Sequence, residues 1–206
     1  AYESTLPLIF DHCVVVSERD RAQMRRYGFR NTTVVRNGVD LDYYEPLPDV
    51  AEPHLLFVGS LDWRPNQDAL RWYLESIWPL IRAAVPHARM TIVGRRPPRW
   101  MRPFCSRNGA RLAADAPDVR SHLAEASVVV VPLRIGGGSR LKILEAMAAA
   151  KPVVSTAIGA EGLGVKPNEH ILLADDPLDF AHTAVRLLND SSGRQALAQA
   201  GRALVE

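Results

Sequence analysis

The sequence has little of what disulfide-rich and metal-binding proteins require. It contains only two cysteines, Cys13 and Cys105, which lie far apart. Cys13 falls within an apolar run, which favours a buried free thiol and a reducing compartment over a disulfide. The six histidines are scattered singly, so the ligand spacing of a metal site is absent and each is predicted to be structural.

Charge and hydropathy exclude two further classes of protein. The formal net charge is only +2, which is too small to indicate a nucleic-acid partner or a basic membrane anchor. No apolar stretch reaches the roughly 20 residues that span a bilayer, and the sequence shows no signal-peptide pattern. We therefore expect a cytoplasmic protein that does not bind nucleic acid.

The sequence does contain a regular alternation of strands and helices. Its 206 residues suit one domain, or one domain and part of another. Two short strands, Val14–Ser17 and Thr32–Arg36, flank a predicted helix over Glu18–Arg26. The segment Asp42–Pro53 carries three prolines and several acids, and we interpret it as a linker.

Six predicted strands follow the linker, and helices join them. The strands are His54–Gly59, Ala88–Gly94, Arg111–Ala114, Ala126–Leu133, Pro152–Ala157 and His170–Ala174. The helices are Asn66–Ala84, Arg99–Arg107, Asp118–Ala126, the segment that begins at Gly136, Pro177–Asn189 and Gly193–Val205. This alternation predicts the α/β fold class, with a Rossmann-like doubly wound parallel sheet of about six strands.

Four predicted loops leave the carboxyl ends of these strands, where doubly wound sheets bind their ligands. All four contain glycine and three contain arginine: Gly59–Asn66, Gly94–Pro98, Pro132–Arg140 and Thr156–Gly164. This clustering favours a nucleotide or another phosphorylated ligand. No GxGxxG follows the first strand of the sheet, which argues against a nicotinamide or flavin, and a P-loop GxxxxGK(S/T) motif is absent as well.

The segment Val131–Pro152, VPLRIGGGSRLKILEAMAAAKP, is the most informative part of the chain. A buried strand runs into Gly136–Gly138, and these glycines are predicted to open a helix. The first amides of a helix have no intrahelical acceptor, its dipole favours an anion, and glycine allows close approach. Because Ser139, Arg140 and Lys142 follow at once, we interpret the segment as a phosphate site rather than a turn without a ligand.

Four motifs then occur along the chain in a recognisable order: VVRNGVDLDYY (Val34–Tyr44), LLFVGSLDW (Leu55–Trp63), KILEAMAAAKPVVST (Lys142–Thr156) and IGAEGL (Ile158–Leu163). Together they resemble the carboxyl-terminal half of GT-B-fold glycosyltransferases. The most similar group is the retaining nucleotide-sugar enzymes of family 4, many of which build bacterial polysaccharides. The resemblance covers nearly the whole chain.

The resemblance implies two Rossmann-like domains with a cleft between them. The amino-terminal domain would hold a glycan or lipid-linked acceptor, and the carboxyl-terminal domain the nucleoside diphosphate of the sugar donor. Residues 1–48 resemble the tail of the first domain with the linker, and residues 49–206 resemble the donor-binding domain. The chain is therefore expected to be part of a longer enzyme and inactive alone. Peripheral contact of that enzyme with the inner face of the membrane stays open.

The resemblance also implies which residues bind the donor. Glu145 matches the second glutamate of the family's paired-glutamate motif, and one carboxylate can accept both ribose hydroxyls. The backbone amides of Ser139–Leu141 would bind the diphosphate, and base contacts are implied for Asp118 and its neighbour. The donor-binding set is Gly59, Ser60, Arg64, Gly94, Arg95, Asp118, Val119, Arg134, Gly137, Gly138, Ser139, Arg140, Leu141, Lys142 and Glu145.

Three positions depart from the family pattern. The first glutamate of the paired motif falls on Gly137, so its contact to the donor sugar is lost. Ser60 and Asn66 stand where the family often has arginine and lysine that offset the charge of the leaving diphosphate. The cations available to replace them are Arg64, Arg134, Arg140 and Lys142, of which we favour the last two.

The predicted function is transfer of a sugar from a UDP-, GDP- or similar donor with retention of anomeric configuration. The resemblance implies neither a metal nor another cofactor, and we assign no catalytic residue. Two alternatives stay open: an inactive binding or scaffold module, which the three departures favour, and a sugar-nucleotide epimerase. The base, the sugar, the acceptor and the oligomeric state are left undetermined by the residues.

Overall fold

The computed structural model describes residues 5–136 and 140–206, and within them eight strands and eight α-helices. The strands are β1 (Cys13–Val15), β2 (Thr32–Val34), β3 (His54–Val58), β4 (Arg89–Gly94), β5 (Arg111–Ala114), β6 (Val128–Val131), β7 (Val153–Ser155) and β8 (Leu172–Leu173). The helices are α1 (Glu18–Arg26), α2 (Arg64–Trp72), α3 (Trp78–Ala84), α4 (Met101–Arg107), α5 (Arg120–Glu125), α6 (Leu141–Ala148), α7 (Pro177–Asn189) and α8 (Ser191–Val205).

Strands β3 to β8 form one parallel sheet in the order β5-β4-β3-β6-β7-β8, which confirms the predicted fold class. From β3 the chain adds β4 and β5 on one side, then crosses to β6, β7 and β8 on the other. The strand order therefore reverses between β3 and β6. Their carboxyl ends form the topological switch point, where doubly wound sheets bind ligands.

The two strands at the switch point are the centre of the core. All four residues of β6, Val128–Val131, are buried, and so are Leu55, Leu56 and Phe57 of β3. Successive side chains of a strand point to opposite faces, so both faces of these strands are covered. Burying each such side chain stabilises the fold by about 1.5–3 kcal/mol, which holds the loops that follow on a rigid base.

The predicted helix over Asn66–Ala84 is longer and less regular in the structure. It begins at Arg64, with Pro65 in its first turn, where a missing N–H costs nothing. A π-helical turn, Tyr73–Ile77, separates α2 from α3. Pro79 is the second residue after this turn and has no N–H to bond the carbonyl of Glu75, which accounts for the changed hydrogen-bond register.

Two local predictions were wrong. Helix α6 begins at Leu141 and not at the glycines, because Arg140 is its N-cap with a non-helical ψ of 48°. Of the three glycines, Gly137 and Gly138 lie outside the described residues. Cys13 is half-buried rather than buried, since β1 pairs only with β2 in a separate two-stranded sheet, whereas Cys105 is a buried free thiol.

The segment interpreted as a linker contains no helix or strand and is fastened to the main sheet domain. Arg194 of α8 donates hydrogen bonds to both carboxylate oxygens of Asp49, at 2.7 and 2.9 Å. Lys151, which is buried, donates to the carbonyl groups of Pro48 at 2.8 Å and Ala126 at 3.0 Å. These bonds fix the course of the chain into β3.

One histidine, His54, lies in the core of this domain. His54 is buried, and its ring nitrogens bond the carbonyl of Glu125 at 3.0 Å and the hydroxyl of Thr91 at 2.8 Å. This ring is therefore structural. Within residues 5–136 and 140–206, no three His, Cys, Asp or Glu side chains are grouped to hold a metal, and no helix could cross a membrane.

Candidate functional site

A cavity of about 360 Å³ opens at the switch point, and we call it the switch-point cavity. Its walls include Gly59, Ser60 and Asn66 from the region after β3, and Arg140 and Lys142 from the start of α6. The remaining lining residues are Asp62, Trp63, Pro65, Arg96 and Leu133. Three cations and one carboxylate thus surround a space at the place where this fold binds ligands.

Lys142 brings its ammonium group to the side chain of Asn66. The Nζ atom donates a hydrogen bond to Oδ1 of Asn66 at 2.8 Å and lies 4.5 Å from the centroid of the Phe57 ring. Burial and, after it, the neighbouring Arg140 lower the pKa of Lys142 to about 7. The ammonium group of Lys142 therefore lies beside the side chain of residue 66, which is an uncharged asparagine.

Arg140 also lines the switch-point cavity and is only 6% exposed. Its Nη2 donates to the carbonyl of Ile158 at 3.0 Å. The guanidinium packs against Gly136, where an added Cβ would lie 2.9 Å from Nη1 and Nη2. Burial, followed by the charge of Arg19, lowers the pKa of Arg140. An anion in the cavity would compensate this buried charge.

Close packing requires glycine at Gly94, and Gly59 lies against two side chains of the site. A side chain at Gly94 would collide with the carbonyl of Gly59 and would lie 2.7 Å from Cγ of Leu61. A Cβ at Gly59 would lie 2.7 Å from Nζ of Lys142 and 2.8 Å from Nδ2 of Asn66. Glycine at both positions therefore lets the loops after β3 and β4 approach each other and leaves room for the ammonium group.

Arg96, rather than the predicted Arg95, lines the switch-point cavity. Its Nε pairs with a carboxylate oxygen of Asp62 at 2.9 Å, and its N–H donates to Oδ1 of Asp115 at 2.9 Å. Arg96 and Asp115 both have left-handed backbone conformations, with φ of 55° and 54°. Such conformations cost roughly 1–2 kcal/mol each in residues other than glycine and are frequent at functional sites.

Glu145 lies one helical turn after Lys142 but is not part of the cavity wall. Its carboxylate is half-buried, and the hydroxyl of Tyr44 lies beside it. Burial raises the pKa of Glu145, and the neighbouring Tyr44 hydroxyl and the charge of Lys142 oppose that rise. A ligand that reaches this carboxylate would therefore meet the Tyr44 hydroxyl as well.

The predicted base contacts are engaged with other residues. Arg120 donates to the carboxylate of Asp118 at 2.7–3.1 Å, and these hydrogen bonds lower the pKa of Asp118 to about 2. The guanidinium of Arg120 also stacks 3.9 Å from the centroid of the Tyr43 ring. Val119 is half-buried and packs against the core. The negative charge of Asp118 is thus already paired with the guanidinium group of Arg120.

The other predicted residues lie outside the switch-point cavity. Arg64 is exposed in the first turn of α2, and Leu141 is 41% exposed at the start of α6. Arg134 pairs with Asp68 at 2.7 Å and lies over the Trp72 ring at 5.2 Å. These contacts direct Arg134 to α2. Gly137, Gly138 and Ser139 lie outside the described residues, so the predicted amide contacts there stay predictions.

The residues of this region that the sequence-based site prediction did not include are Tyr44, Asp62, Trp63, Pro65, Asn66, Arg96 and Leu133, and we consider Tyr44, Trp63 and Arg96. Each had a signal. Tyr44 ends the NGVD-containing motif, and Arg96 belongs to a loop already noted for its arginines. Trp63 is 60% exposed at the cavity wall, an unusual placement for so large an apolar side chain. What the residues alone did not provide was the direction in which each side chain points.

Comparison with known proteins places this arrangement in a family. The family described as "Glycosyl transferases group 1" matches residues 52–190, which include the whole six-stranded sheet. A curated relative is an uncharacterized 44.6 kDa protein in the cps region of Klebsiella pneumoniae, 28% identical over 158 residues. That match covers 73% of this chain, and the chain spans 41% of the relative.

Solved structures share the fold at low sequence identity. TarM from S. aureus, crystallised as a mutant with fondaparinux, alpha-GlcNAc-glycerol and UDP, is 16% identical with a TM-score of 0.83, and the match covers 98% of this chain and 42% of TarM. The carboxyl-terminal domain of LpcC from Francisella tularensis is 18% identical with a TM-score of 0.64, over 82% of this chain and 96% of that domain. With the family match over residues 52–190, the chain belongs to the glycosyl transferases group 1 and has the carboxyl-terminal half of their GT-B fold.

Proposed function

We propose that this chain binds the nucleoside diphosphate of an activated sugar and serves as the donor-binding half of a retaining glycosyltransferase. The diphosphate would occupy the switch-point cavity between Arg140 and Lys142. The ribose would lie beside Glu145 and Tyr44, on the same helix face one turn further along α6. The base would face the loops after β4 and β5.

The observation that carries this proposal is the position of the Lys142 ammonium group. Family members often have a lysine at position 66, and here the Nζ of Lys142 lies 2.8 Å from the side chain at that position. Arg140 lines the same cavity. The loss of charge at residues 60 and 66 is therefore compensated from another element, which favours an active site over a scaffold that has lost its cations.

The chemistry follows from charge development. In sugar transfer the bond between the anomeric carbon and the diphosphate oxygen breaks, and negative charge grows on the leaving phosphate. Cations fixed beside that oxygen in a water-poor site stabilise the transition state more than the ground state, which accelerates the reaction. In this proposal Arg140 and Lys142 perform this task. Acceptor binding and proton transfer from the acceptor hydroxyl are assigned to residues of the longer enzyme, which would act in the cytoplasm on a glycan or lipid-linked acceptor.

Isothermal titration calorimetry of the chain with UDP and GDP tests the proposal. We expect one of the two to bind, and replacing Glu145 by Ala to weaken that binding by about 1–3 kcal/mol, the cost of losing charge-assisted hydrogen bonds. Glu75→Ala is the matched control, since Glu75 is an exposed helix acid that lines neither the cavity nor its surroundings. No binding at millimolar nucleotide would refute the proposal, and an unchanged affinity in Glu145→Ala would move the ribose elsewhere.

A further inference from the structure

Asn66 lies in the first turn of α2, and its side chain joins two elements of the switch-point cavity. The residue is buried, with only 6% of its surface exposed. Its Nδ2 donates a hydrogen bond to the carbonyl of Ser60 at 2.7 Å, and its Oδ1 accepts one from Nζ of Lys142 at 2.8 Å. One amide therefore connects the loop after β3 with the start of α6.

These two partners allow the Asn66 amide a single orientation. A carbonyl oxygen can only accept and an ammonium group can only donate, so Nδ2 must face Ser60 and Oδ1 must face Lys142. The backbone is fixed as well, because the N–H of Asn66 donates to the carbonyl of Trp63 at 3.0 Å. The oxygen that receives the ammonium group is thus held in place by the loop and by the helix.

The ammonium group of Lys142 is held by this oxygen and by packing. Within residues 5–136 and 140–206, Oδ1 of Asn66 is its only hydrogen-bond acceptor. The centroid of the Phe57 ring lies 4.5 Å from Nζ, and a Cβ at Gly59 would lie 2.7 Å from it. Since an ammonium group has three N–H donors, two are left for the oxygen atoms of a ligand in the cavity.

The neighbouring residue, Gln67, shows what a purely structural tether looks like here. Its Nε2 donates to the carbonyl of Leu61 at 2.9 Å, so it too bonds the residue six positions earlier. Gln67 is not among the residues that line the switch-point cavity. Two adjacent amides therefore fasten the same loop to α2, and Asn66 differs from Gln67 in its bond to Lys142.

The charges around Lys142 come from α6 and from two loops. Burial is the main cause of its lowered pKa of about 7, and of the neighbours on α6, Arg140 disfavours the ammonium form while Glu145 favours it. Asp62 and Arg96, from the loops after β3 and β4, line the same cavity and pair with each other at 2.9 Å. The side chain that accepts the hydrogen bond of Lys142 adds no charge to this set.

We infer that Asn66 is a positioning residue for diphosphate binding: it holds the Lys142 ammonium group in the switch-point cavity, with two N–H donors left for the ligand. An uncharged amide suits this role because it accepts a hydrogen bond without neutralising the cation. A carboxylate in its place would pair with the ammonium group and compete with an anionic ligand. The inference rests on the proposed function, which supplies the diphosphate, and it adds a residue that acts on that ligand through Lys142.

Nuclear magnetic resonance of the lysine side chains tests the hold on the ammonium group directly. The sequence contains only three lysines, Lys142, Lys151 and Lys166, so labelling at the ε-carbon gives three signals to titrate, and Lys142→Arg identifies the one in the cavity. We expect Asn66→Leu to lower the pKa of Lys142, because a buried ammonium group loses its acceptor, and Asn66→Asp to raise it through the opposite charge. Gln67→Leu should leave that pKa unchanged.

Calorimetry with UDP and GDP tests the consequence for the ligand. At about pH 8 their terminal phosphate, with a pKa of roughly 6, is ionised, so proton uptake on binding comes from the protein. Asn66→Leu should weaken the nucleotide that binds by about tenfold, since a lower pKa of Lys142 makes its protonation on binding costlier. Gln67→Leu should weaken it by less than about twofold. Above about pH 8, Asn66→Asp should lose less affinity than the parent chain, because its lysine stays protonated.

The outcomes separate this inference from the proposed function. Asn66→Leu with the parent's affinity and the parent's Lys142 pKa would overturn the inference and leave nucleotide binding intact. Equal losses of affinity in Asn66→Leu and Gln67→Leu, with that pKa unchanged, would reduce Asn66 to a loop tether and overturn it as well. If neither UDP nor GDP binds the parent chain, the proposed function fails, while the lysine titration still decides whether Asn66 holds the ammonium group. Thermal unfolding checks the fold of each variant, and Asn66→Asp, which has the shape of asparagine, provides the test if Asn66→Leu does not fold.

Discussion

The charge of Lys142 depends on groups that come together only in the folded chain. Its ammonium group lies beside the Phe57 ring and near Arg140, and burial is the main cause of its lowered pKa of about 7. A group with this pKa is partly neutral in the empty site at pH 7. A bound diphosphate would favour the protonated form and raise the pKa again.

Donor binding should therefore depend on pH. From pH 7 to 9 we expect the affinity for a nucleoside diphosphate sugar, whose diphosphate does not titrate there, to fall by up to about tenfold per pH unit. Calorimetry in buffers of different ionisation enthalpy would report proton uptake on binding. Lys142→Arg should keep its affinity across this range, because its guanidinium stays charged. A fall of the same size in Lys142→Met would assign the titration to another group.

Ala150, which follows the C-cap of α6, has a backbone conformation that suits glycine. Its φ is 51°, in the left-handed region, where the Cβ of an L-residue costs roughly 1–2 kcal/mol. Ala150→Gly should raise the free energy of unfolding by about 0.5–1 kcal/mol, since part of that relief is lost to the flexibility of unfolded glycine. Ala149→Gly is the control with the opposite sign, because Ala149 is buried with φ −77°. Denaturant unfolding of both variants measures the difference.

Among the elements, α6 carries charged side chains of the candidate site, and the linker region provides a residue that lies beside one of them. Lys142 and Glu145 are three residues apart and share a face of α6, so the helix period alone predicts that they act on one ligand. Tyr44, whose hydroxyl lies beside Glu145, comes from the linker region, and its carbonyl accepts from Arg202 of α8 at 2.8 Å. The proposed donor-binding face would therefore depend on contacts between the linker and the last helix.

Of these linker contacts, we expect the ion pair of Asp49 with Arg194 to contribute most to the free energy of unfolding. The Arg194 side chain is 3% exposed and that of Asp49 is 17% exposed. Arg194→Met should lower the free energy of unfolding by about 3 kcal/mol, because a largely buried carboxylate loses its partner. Arg89→Met is the control: its pair with Glu52 is exposed, and the expected loss is under about 1 kcal/mol. Equal losses in the two variants would contradict the burial argument.

The pair of Asp49 with Arg194 should also make the stability of the fold depend on pH. Burial alone would raise the pKa of Asp49, but the hydrogen bonds from Arg194 and Ser191 outweigh it and lower that pKa. A carboxylate with a lowered folded pKa stabilises the fold above its unfolded pKa of roughly 3.9, and this stability is lost as pH falls through the folded value. Asp49→Asn should therefore lose less stability on acidification than the parent chain.

For the whole molecule, the strand order decides where the chemistry lies. Six strands with helical crossovers could be predicted from periodicity, and α1, β5 and α7 have the predicted bounds at both ends. Strand ends were less accurate, because apolar residues continue past the last ladder hydrogen bond, as in the predicted strand Ala126–Leu133 against the observed Val128–Val131. Buried apolar residues beyond the end of a strand have the same sequence pattern as the strand itself.

The cavity wall was only partly predictable, for a physical reason. Lys142 and Asn66 are 76 residues apart in the chain, yet they bond because β3 and β6 are neighbours in the sheet. Arg140 and Arg134 have similar sequence signals, but Arg140 turns into the cavity while Arg134 pairs with Asp68. The direction of a flexible side chain depends on partners that its local sequence does not contain.

The amino-acid pattern was sufficient to predict the fold class, the family resemblance and the importance of the glycine-rich segment before α6, because hydrophobic periodicity and turn residues are local properties. Packing between distant parts of the chain brings the ammonium group of Lys142 to the side chain of residue 66 and the hydroxyl of Tyr44 beside Glu145. Parallel strands bring their carboxyl ends to one edge whatever their distance along the chain, so the charges that meet there follow from sheet order and side-chain packing.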